Sequence, residues 1–134
     1  MKAVWVTQFT VPAGTKSQTV SADLTVNASY ALWGVVPHMH LHGTQIKVSI
    51  NHAGGASTCA IDIPRWDFHW QQFYYYQQPI AVGPGDVIHL ECTYDNSPES
   101  QPLVNGVRAP PAPLMWGEKT TDEMCLNYLY FTAP

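Results

Sequence analysis

Short apolar alternations separated by turn residues constrain the fold of this chain more than any other feature. Apolar residues occupy every second position of segments 20–26, 46–50 and 88–94, the pattern of half-buried strands, and no window has helical periodicity over three turns. Gly83-Pro84-Gly85-Asp86 and Gly54-Gly55 are typical turn sequences. Charged residues make up only 12% of the chain, and the eleven prolines also disfavour helices. We therefore predict an all-β fold, a jelly-roll-like antiparallel β-sandwich of about eight or nine strands.

Two predicted strands and one irregular region matter for the site. The apolar run 30–36 predicts a strand that ends at Pro37. A last strand is predicted over 123–131, where apolar residues follow a polar turn. The proline-rich stretch 95–113 between them predicts a long surface excursion rather than a linker between domains.

The chain is long enough for one domain with its own core but short for two. Its 134 residues predict a single domain spanning 1–134, which we expect to be a fragment of a larger protein. The net charge of −4 argues against nucleic acid or an anionic membrane as a partner. No apolar run approaches the roughly 18 residues that span a bilayer. Residues 1–14 lack a continuous apolar segment, so we expect no signal peptide there.

The cysteines cannot all pair within one chain, because there are three of them: Cys59, Cys92 and Cys125. At most one intramolecular disulfide forms, and the third cysteine is free or bonded elsewhere. The odd number of cysteines leaves open which two of them pair.

Three of the six histidines, His38, His40 and His42, stand at alternate positions in the segment VVPHMHLHGTQIKV. On a β-strand this spacing points all three rings to one side. Same-face neighbours lie about 6.6–6.8 Å apart, so two imidazoles can converge on one metal ion at roughly 2 Å from each nitrogen. His38 and His42 would be about 13 Å apart, so the metal-binding pair is either 38/40 or 40/42. The competing interpretation is a row of surface histidines on a half-exposed strand.

A metal site at such a pair needs a further ligand. The other histidines, His52, His69 and His89, fit structural or surface roles. Met124, in GEKTTDEMCLNYLYF, stands at the start of a predicted strand behind an acidic turn. Methionine in a core normally fills space, but two imidazoles with a thioether would select copper, particularly Cu(I). Imidazoles alone suit zinc, copper, iron and nickel alike.

The chain contains, in this order, the segments PHMHLHG, GPGDVIHLECTYDNS and WGEKTTDEMC. Together they resemble the C-terminal domain of the copper type II, ascorbate-dependent monooxygenases. That family includes dopamine β-monooxygenase and peptidylglycine α-hydroxylating monooxygenase. FTVPAG and WDFHWQQFYYY are similar to the form of this domain in bacterial members. The resemblance covers about residues 9–131, and the combination of HxH with DEMC at this distance is its most specific part.

The resemblance implies a function as well as a fold. It implies a jelly-roll-like sandwich in which one copper ion is held by His38, His40 and Met124, which would be both the metal ligands and the catalytic residues. The implied reaction is the O2-dependent hydroxylation of a C–H bond in a small-molecule substrate.

The resemblance also implies a disulfide between Cys92 and Cys125, which would leave Cys59 unpaired. Disulfides persist in oxidising compartments. We therefore expect a periplasmic or extracellular location.

Departures from the family pattern limit what carries over. Family enzymes have a second copper on an N-terminal domain that supplies electrons, and 134 residues leave no room for that domain. We therefore expect an electron-donating copper or redox domain as a partner, and poor turnover by the isolated domain. The amidating branch has an arginine two residues before the first ligand histidine, where this chain has Val36. This difference argues against a peptidylglycine substrate.

Other residues near the implied ligands have expected supporting roles. Tyr128 matches a tyrosine that contacts substrate in the amidating branch. His42 falls in the shell around the ligands, where it could replace one of them. Asp122 and Glu123 are expected to shape the turn before the methionine ligand rather than to act as an acid or base.

Parts of the sequence are also compatible with three other function classes. A non-enzymatic copper-binding module for storage, transfer or sensing is the main alternative, so enzymatic activity remains an expectation. The HLHG sequence also occurs in multicopper oxidases, but those enzymes need further HxH and HCH motifs that this chain lacks. A cupin would need a glutamate shortly after HxH, and none stands there.

Overall fold

The computed structural model describes residues 1–134 and contains twelve β-strands and one short 3₁₀ segment, Pro98–Ser100. The strands are β1 (Lys2–Val6), β2 (Thr10–Val11), β3 (Gln18–Thr25), β4 (Tyr30–His38), β5 (Gly43–Asn51), β6 (Ser57–Ile63), β7 (Tyr74–Val82), β8 (Val87–Tyr94), β9 (Leu103–Val104), β10 (Val107–Arg108), β11 (Leu114–Met115) and β12 (Cys125–Thr132). Eight of them have five or more residues. No helix has the length and apolar character needed to cross a membrane.

Two antiparallel four-stranded sheets form the body of the protein. Their strand orders are β1-β12-β4-β7 and β3-β8-β5-β6. Most neighbouring strands of these two sheets are distant in sequence, so crossovers connect them. Within the two sheets, only β5 and β6 form a hairpin, and its turn contains the predicted turn sequence Gly54-Gly55. The prediction of an all-β antiparallel sandwich is confirmed.

The core lies between the two sheets and follows the predicted alternations. On β8, the four residues predicted to share one face are all buried, and the intervening residues are only partly buried. Alternate residues of β5 are buried in the same way. The buried side chains of these two strands and of the facing sheet include Ile46, Val48, Ile50, Ile88, Leu90, Leu32, Val35 and Leu129.

Two predicted strand boundaries are wrong. β4 continues through Pro37 to His38, instead of ending at the proline. Proline is tolerated there because β7 pairs with β4 only as far as Val35, so that beyond this point β12 alone pairs with the strand. β12 begins at Cys125 rather than at residue 123, because residues 116–123 form a turn whose ends meet in a bridge between Trp116 and Glu123.

The proline-rich stretch 95–113 is a surface excursion, as predicted. It contains only the 3₁₀ segment and the two-residue strands β9 and β10. The excursion is held to the sandwich by Asn96, which is buried and whose side-chain amide donates to the carbonyls of Val11, Pro12 and Ala112.

Candidate metal centre

The three alternating histidines lie at a corner of the chain rather than along one strand. β4 ends at His38, and β5 begins at Gly43, with residues 41–42 in a turn. Met39 is fully buried and packs so closely on Gly43 that a Cβ atom there would lie 2.7 Å from the Met39 Cε. The glycine therefore permits the tight corner. The prediction that one strand presents all three rings on one face is wrong.

His38 and His40 are close neighbours. Their ring centroids are 5.1 Å apart and the ring planes are nearly perpendicular, at 86°. The Nδ1 of His40 is 3.0 Å from the carbonyl oxygen of Asp122, and the Nδ1 of His38 is hydrogen-bonded to Oε1 of Gln71. Gln71 is oriented by its own amide nitrogen, which donates to the Phe68 carbonyl at 2.7 Å.

These contacts determine which ring nitrogen can bind a metal. Both partners are acceptor oxygens, so the Nδ1 atoms of His38 and His40 carry the protons. The Nε2 atom of each ring is left with a lone pair and without a hydrogen-bond partner in the protein. Metal-bound histidines have this arrangement, with the second ring nitrogen donating to a carbonyl or side-chain oxygen.

Burial favours the neutral, metal-binding form of His38. Desolvation lowers the pKa of His38 below its ordinary value of 6.5, and the neighbouring His40 acts in the same direction, although the hydrogen bond to Gln71 opposes them. Since a metal binds only neutral imidazole, a lowered pKa reduces the competition from protons.

Met124 lines the same cavity as His38. The turn of residues 117–123 returns the chain so that Met124 immediately precedes β12, and Tyr94 donates to its carbonyl oxygen at 2.7 Å. Gly117 leaves room in this turn for the Asp122 side chain, which a Cβ atom at residue 117 would overlap. A cavity of about 390 Å³, here called the aromatic cavity, is lined by Trp5, His38, Trp116, Glu118, Met124, Leu126 and Tyr128.

His42 is separated from this pair by its contacts. Its Nε2 is 3.4 Å from Oε1 of Gln101, whose own amide nitrogen donates to Asn96 and Ser97. Its Nδ1 is 3.6 Å from Oε1 of Glu123, too long for a hydrogen bond but within the range of an ion pair. Both ring nitrogens thus face acceptor oxygens. The interaction with Glu123 raises the pKa of His42 above its ordinary value of 6.5.

Glu123 lies at the centre of these contacts and is completely buried. Its Oε2 accepts the backbone N–H of His40 at 2.9 Å and its Oε1 accepts that of His42 at 2.7 Å. The carboxylate therefore holds the chain corner and does not point to the aromatic cavity, whose lining includes Glu118 but not Glu123.

The remaining histidines have other partners. His52 is hydrogen-bonded to Asp86 and Thr58, His89 is paired with Asp23, and His69 is largely exposed. No group of three or more His, Cys, Asp or Glu side chains is arranged to hold a metal. A metal site at His38 and His40 therefore requires a donor of another kind, and Met124 is the soft donor that shares a cavity with His38.

The Cys92–Cys125 disulfide is present, as predicted, and Cys59 is free and exposed. Both half-cystines are fully buried. The disulfide joins β8 of one sheet to β12 of the other at the residue after Met124. It thereby limits where the methionine can lie relative to the corner with the histidines.

Sequence reasoning did not identify Gln71 and Gln101, and it assigned Glu123 only to a turn. Gln71 sets the orientation of His38, and Gln101 contacts His42. Glutamine side chains in loops carry no periodic or motif signal, so nothing in the sequence distinguishes these two from other polar loop residues. The DEMC motif places the acidic Glu123 directly before an apolar strand. An acidic side chain at such a position, if it is buried, must have partners.

Comparison with known proteins adds a family match. The family model described as copper type II ascorbate-dependent monooxygenase, C-terminal domain, matches residues 3–134. The chain is 27% identical over 101 residues to DBH-like monooxygenase protein 1 of Gallus gallus, covering 75% of this chain and 14% of that protein. It is 28% identical over 98 residues to dopamine beta-hydroxylase of Canis lupus familiaris, covering 70% and 13%. It is also 28% identical over 94 residues to tyramine beta-hydroxylase of Caenorhabditis briggsae, covering 70% and 14%. The chain thus matches only about 14% of the length of these relatives.

Proposed function

The chain belongs to the copper type II ascorbate-dependent monooxygenase family, as a C-terminal domain, and from this membership we propose that it binds one copper ion through His38, His40 and Met124. We further propose that this ion serves the O2-dependent hydroxylation of a C–H bond in a small molecule. The observation that supports the proposal best is that the Nδ1 atoms of His38 and His40 are both hydrogen-bonded to oxygen atoms, which leaves each Nε2 available. His38 also lines a cavity together with Met124.

The donor set fits copper. Neutral imidazole nitrogens and a thioether sulfur are donors that copper accepts in both of its common oxidation states, and the sulfur favours Cu(I). Calcium and magnesium would need several oxygen ligands, and no carboxylate cluster is present. Copper held there supplies the one-electron chemistry with O2. The protein's own residues hold the Nδ1 protons, orient the two rings and exclude water from the buried side of His40.

The aromatic cavity is the proposed substrate site, because it adjoins His38 and Met124. Five of its seven lining residues are hydrophobic, so it suits an apolar or aromatic group. Glu118 is its only acidic residue and it has no arginine or lysine. This charge favours a substrate with an amino group over one with a carboxylate. Two of the relatives are named for dopamine and tyramine, which are both aromatic amines.

The proposal also includes a source of electrons and a cellular compartment. Hydroxylation with O2 requires two electrons in total, and a single copper ion supplies one at a time, so we propose a separate electron-donating copper or redox domain as partner. The buried Cys92–Cys125 disulfide supports an oxidising compartment, periplasmic or extracellular.

Metal analysis and oxygen consumption test the proposal together. The purified protein should bind one copper per chain, and the His38→Ala and His40→Ala variants should each lose it. With ascorbate and tyramine, the loaded protein should form hydroxylated product, more slowly than the roughly 1 s⁻¹ or more of typical enzymes until a redox partner is added. Tight copper binding without any product, even with an added partner, would instead support a storage, transfer or sensing module.

A further inference from the structure

Two backbone N–H groups at the histidine corner depend on a single side chain. His40 and His42 lie between the end of β4 and the start of β5, so neither amide is part of a sheet. Both residues are buried, and both amides donate to the carboxylate of Glu123, at 2.9 Å and 2.7 Å. A buried amide without an acceptor would destabilise the corner, so this carboxylate determines how the chain can turn there.

The same carboxylate belongs to the segment that carries Met124. The backbone of Glu123 is itself anchored, because its N–H donates to Met115 at 3.0 Å and its carbonyl accepts from Gly117 at 3.1 Å. The Met124 N–H also approaches Oε2 of Glu123, at 3.3 Å. One side chain therefore connects residues 83 positions apart in the sequence, His40 and the segment of Met124.

His40 is attached to that segment at a second point. Its ring Nδ1 donates to the Asp122 carbonyl, while its backbone N–H donates to Glu123. His38 is connected differently: its backbone pairs with Leu126 of β12, and its ring is oriented by Gln71, which lies in the loop between β6 and β7. Glu123 and Asp122 thus connect His40 to the segment before Met124, whereas His38 is connected to the residues after Met124 through the β4–β12 pairing.

We propose that Glu123 is a positioning residue that holds His40 and Met124 in their relative places before any metal binds. This inference rests on the proposed copper site. Cu(I) depends on the thioether more than Cu(II) does, so loss of the carboxylate affects Cu(I) more than Cu(II). The charge of the carboxylate has a second function here, as the partner of His42.

The variant Glu123→Gln tests this role with little change in volume. The amide NH2 group replaces one acceptor oxygen, so one of the two corner amides loses its partner. We expect Cu(I) affinity, measured by competition with a chromophoric Cu(I) chelator, to fall about 10- to 100-fold, the usual effect of losing an outer-shell partner. The sulfur contribution in X-ray absorption of the Cu(I) protein should weaken, and the copper hyperfine pattern of the Cu(II) form should change.

Asp86→Asn is the matched control, because Asp86 also is a buried carboxylate that accepts two backbone N–H groups, far from the copper site. It should destabilise the protein without altering Cu(I) affinity or either spectrum. Equal Cu(I) affinity and unchanged spectra in folded Glu123→Gln would overturn the positioning role, and so would equal losses in both variants.

Amide hydrogen exchange of the unmodified, metal-free protein provides a measurement that needs no variant. No strand protects the amides of His40 and His42, so slow exchange there reports the contact with Glu123. Fast exchange at both positions contradicts the pre-formed corner even if copper binds well. Failure of the copper proposal would look different, because the unmodified protein would then bind no copper while its two amides remained protected.

Discussion

The two ends of the sandwich use the same contact, a buried carboxylate that accepts backbone N–H groups beside a histidine. At the far end, where β5 ends and β8 begins, Asp86 accepts the N–H groups of Ala53 at 2.9 Å and Gly83 at 3.0 Å. Asp86 also accepts a hydrogen bond from Nδ1 of His52, at 2.9 Å. Nε2 of the same ring is 2.9 Å from the Thr58 hydroxyl oxygen. Every group in this far-end cluster has a partner.

The other end, where β4 ends and β12 begins, carries the proposed copper ligands and is here called the ligand end; its cluster is not complete in itself. Glu123 accepts the N–H groups of His40 and His42, but the buried Nδ1 of His42 has no partner within hydrogen-bonding distance. Nε2 of His38 and of His40 is also without a partner in the protein. At the far end, the buried carboxylate closes a turn in which every polar group has a partner. At the ligand end, the buried carboxylate supports histidines whose ring nitrogens are left without a partner in the protein.

The largest expected effect concerns the disulfide, which only the ligand end has. Replacing Cys92 and Cys125 together by serine removes a crosslink between residues 33 apart. The free energy of unfolding should fall by about 3–4 kcal/mol, because the unfolded chain is no longer restricted. Urea unfolding measures this loss, with Cys59→Ser as the control that should behave like the parent. A loss below about 1 kcal/mol would show that the hydrogen bonds around Glu123 hold this end without the crosslink.

Met124→Leu tests the ligand end without changing its packing. Leucine has nearly the same volume, so the fold should persist. Cu(I) affinity should fall by about a hundredfold, equivalent to about 2.7 kcal/mol, because the soft ligand is lost while the imidazoles still bind Cu(II). Ascorbate should then release copper from the variant but not from the parent, as followed by a Cu(I) chelator. Retention of Cu(I) by the variant would place the third ligand elsewhere.

Asp86→Asn tests the far end, where a change should affect stability alone. Loss of the charged acceptor should lower the free energy of unfolding at pH 7 by about 1–3 kcal/mol. Hydrogen bonds from Ala53 and Gly83 lower the pKa of Asp86 below its ordinary value of 3.8. A lowered carboxyl pKa stabilises the fold at pH values above the ordinary one, and this contribution disappears as the pH falls through the folded-state pKa.

The difference in stability between parent and Asp86→Asn should therefore be constant at neutral pH and shrink below about pH 4. Urea unfolding at a series of pH values measures it. A difference that grows in acid would mean that the carboxylate does not stabilise the far end as an anion.

The smallest expected effect on copper is that of His42→Ala. The variant keeps the backbone N–H that donates to Glu123, and the two ring nitrogens of His42 lie beside oxygens of Gln101 and Glu123, so Cu(I) affinity should change by less than about tenfold. Stability should fall, since a buried charge partner of Glu123 is removed. If His42→Ala loses Cu(I) while Met124→Leu keeps it, the centre is a histidine cluster and Met124 is not a ligand.

Local sequence patterns were sufficient for much of the fold. The alternation along 88–94 predicted which face of β8 is buried, because successive side chains of a strand point to opposite faces wherever the strand lies. The family resemblance supplied the disulfide. The strand boundary at Pro37 was predicted wrongly, because whether proline is tolerated depends on where β7 stops pairing, and no local pattern contains that information.

The sequence by itself determined that this is an all-β chain, and the family resemblance of its motifs predicted two histidines and a methionine as metal donors. Only the tertiary structure decided which nitrogen of each histidine is free and what holds the corner. The partners of His38 and His40 come from 33 and 82 positions away, and the carboxylate on the His40 amide from 83. Hydrogen bonds depend on positions in space to within a few tenths of an ångström, and these positions arise only when the two sheets pack and the turn before β12 closes.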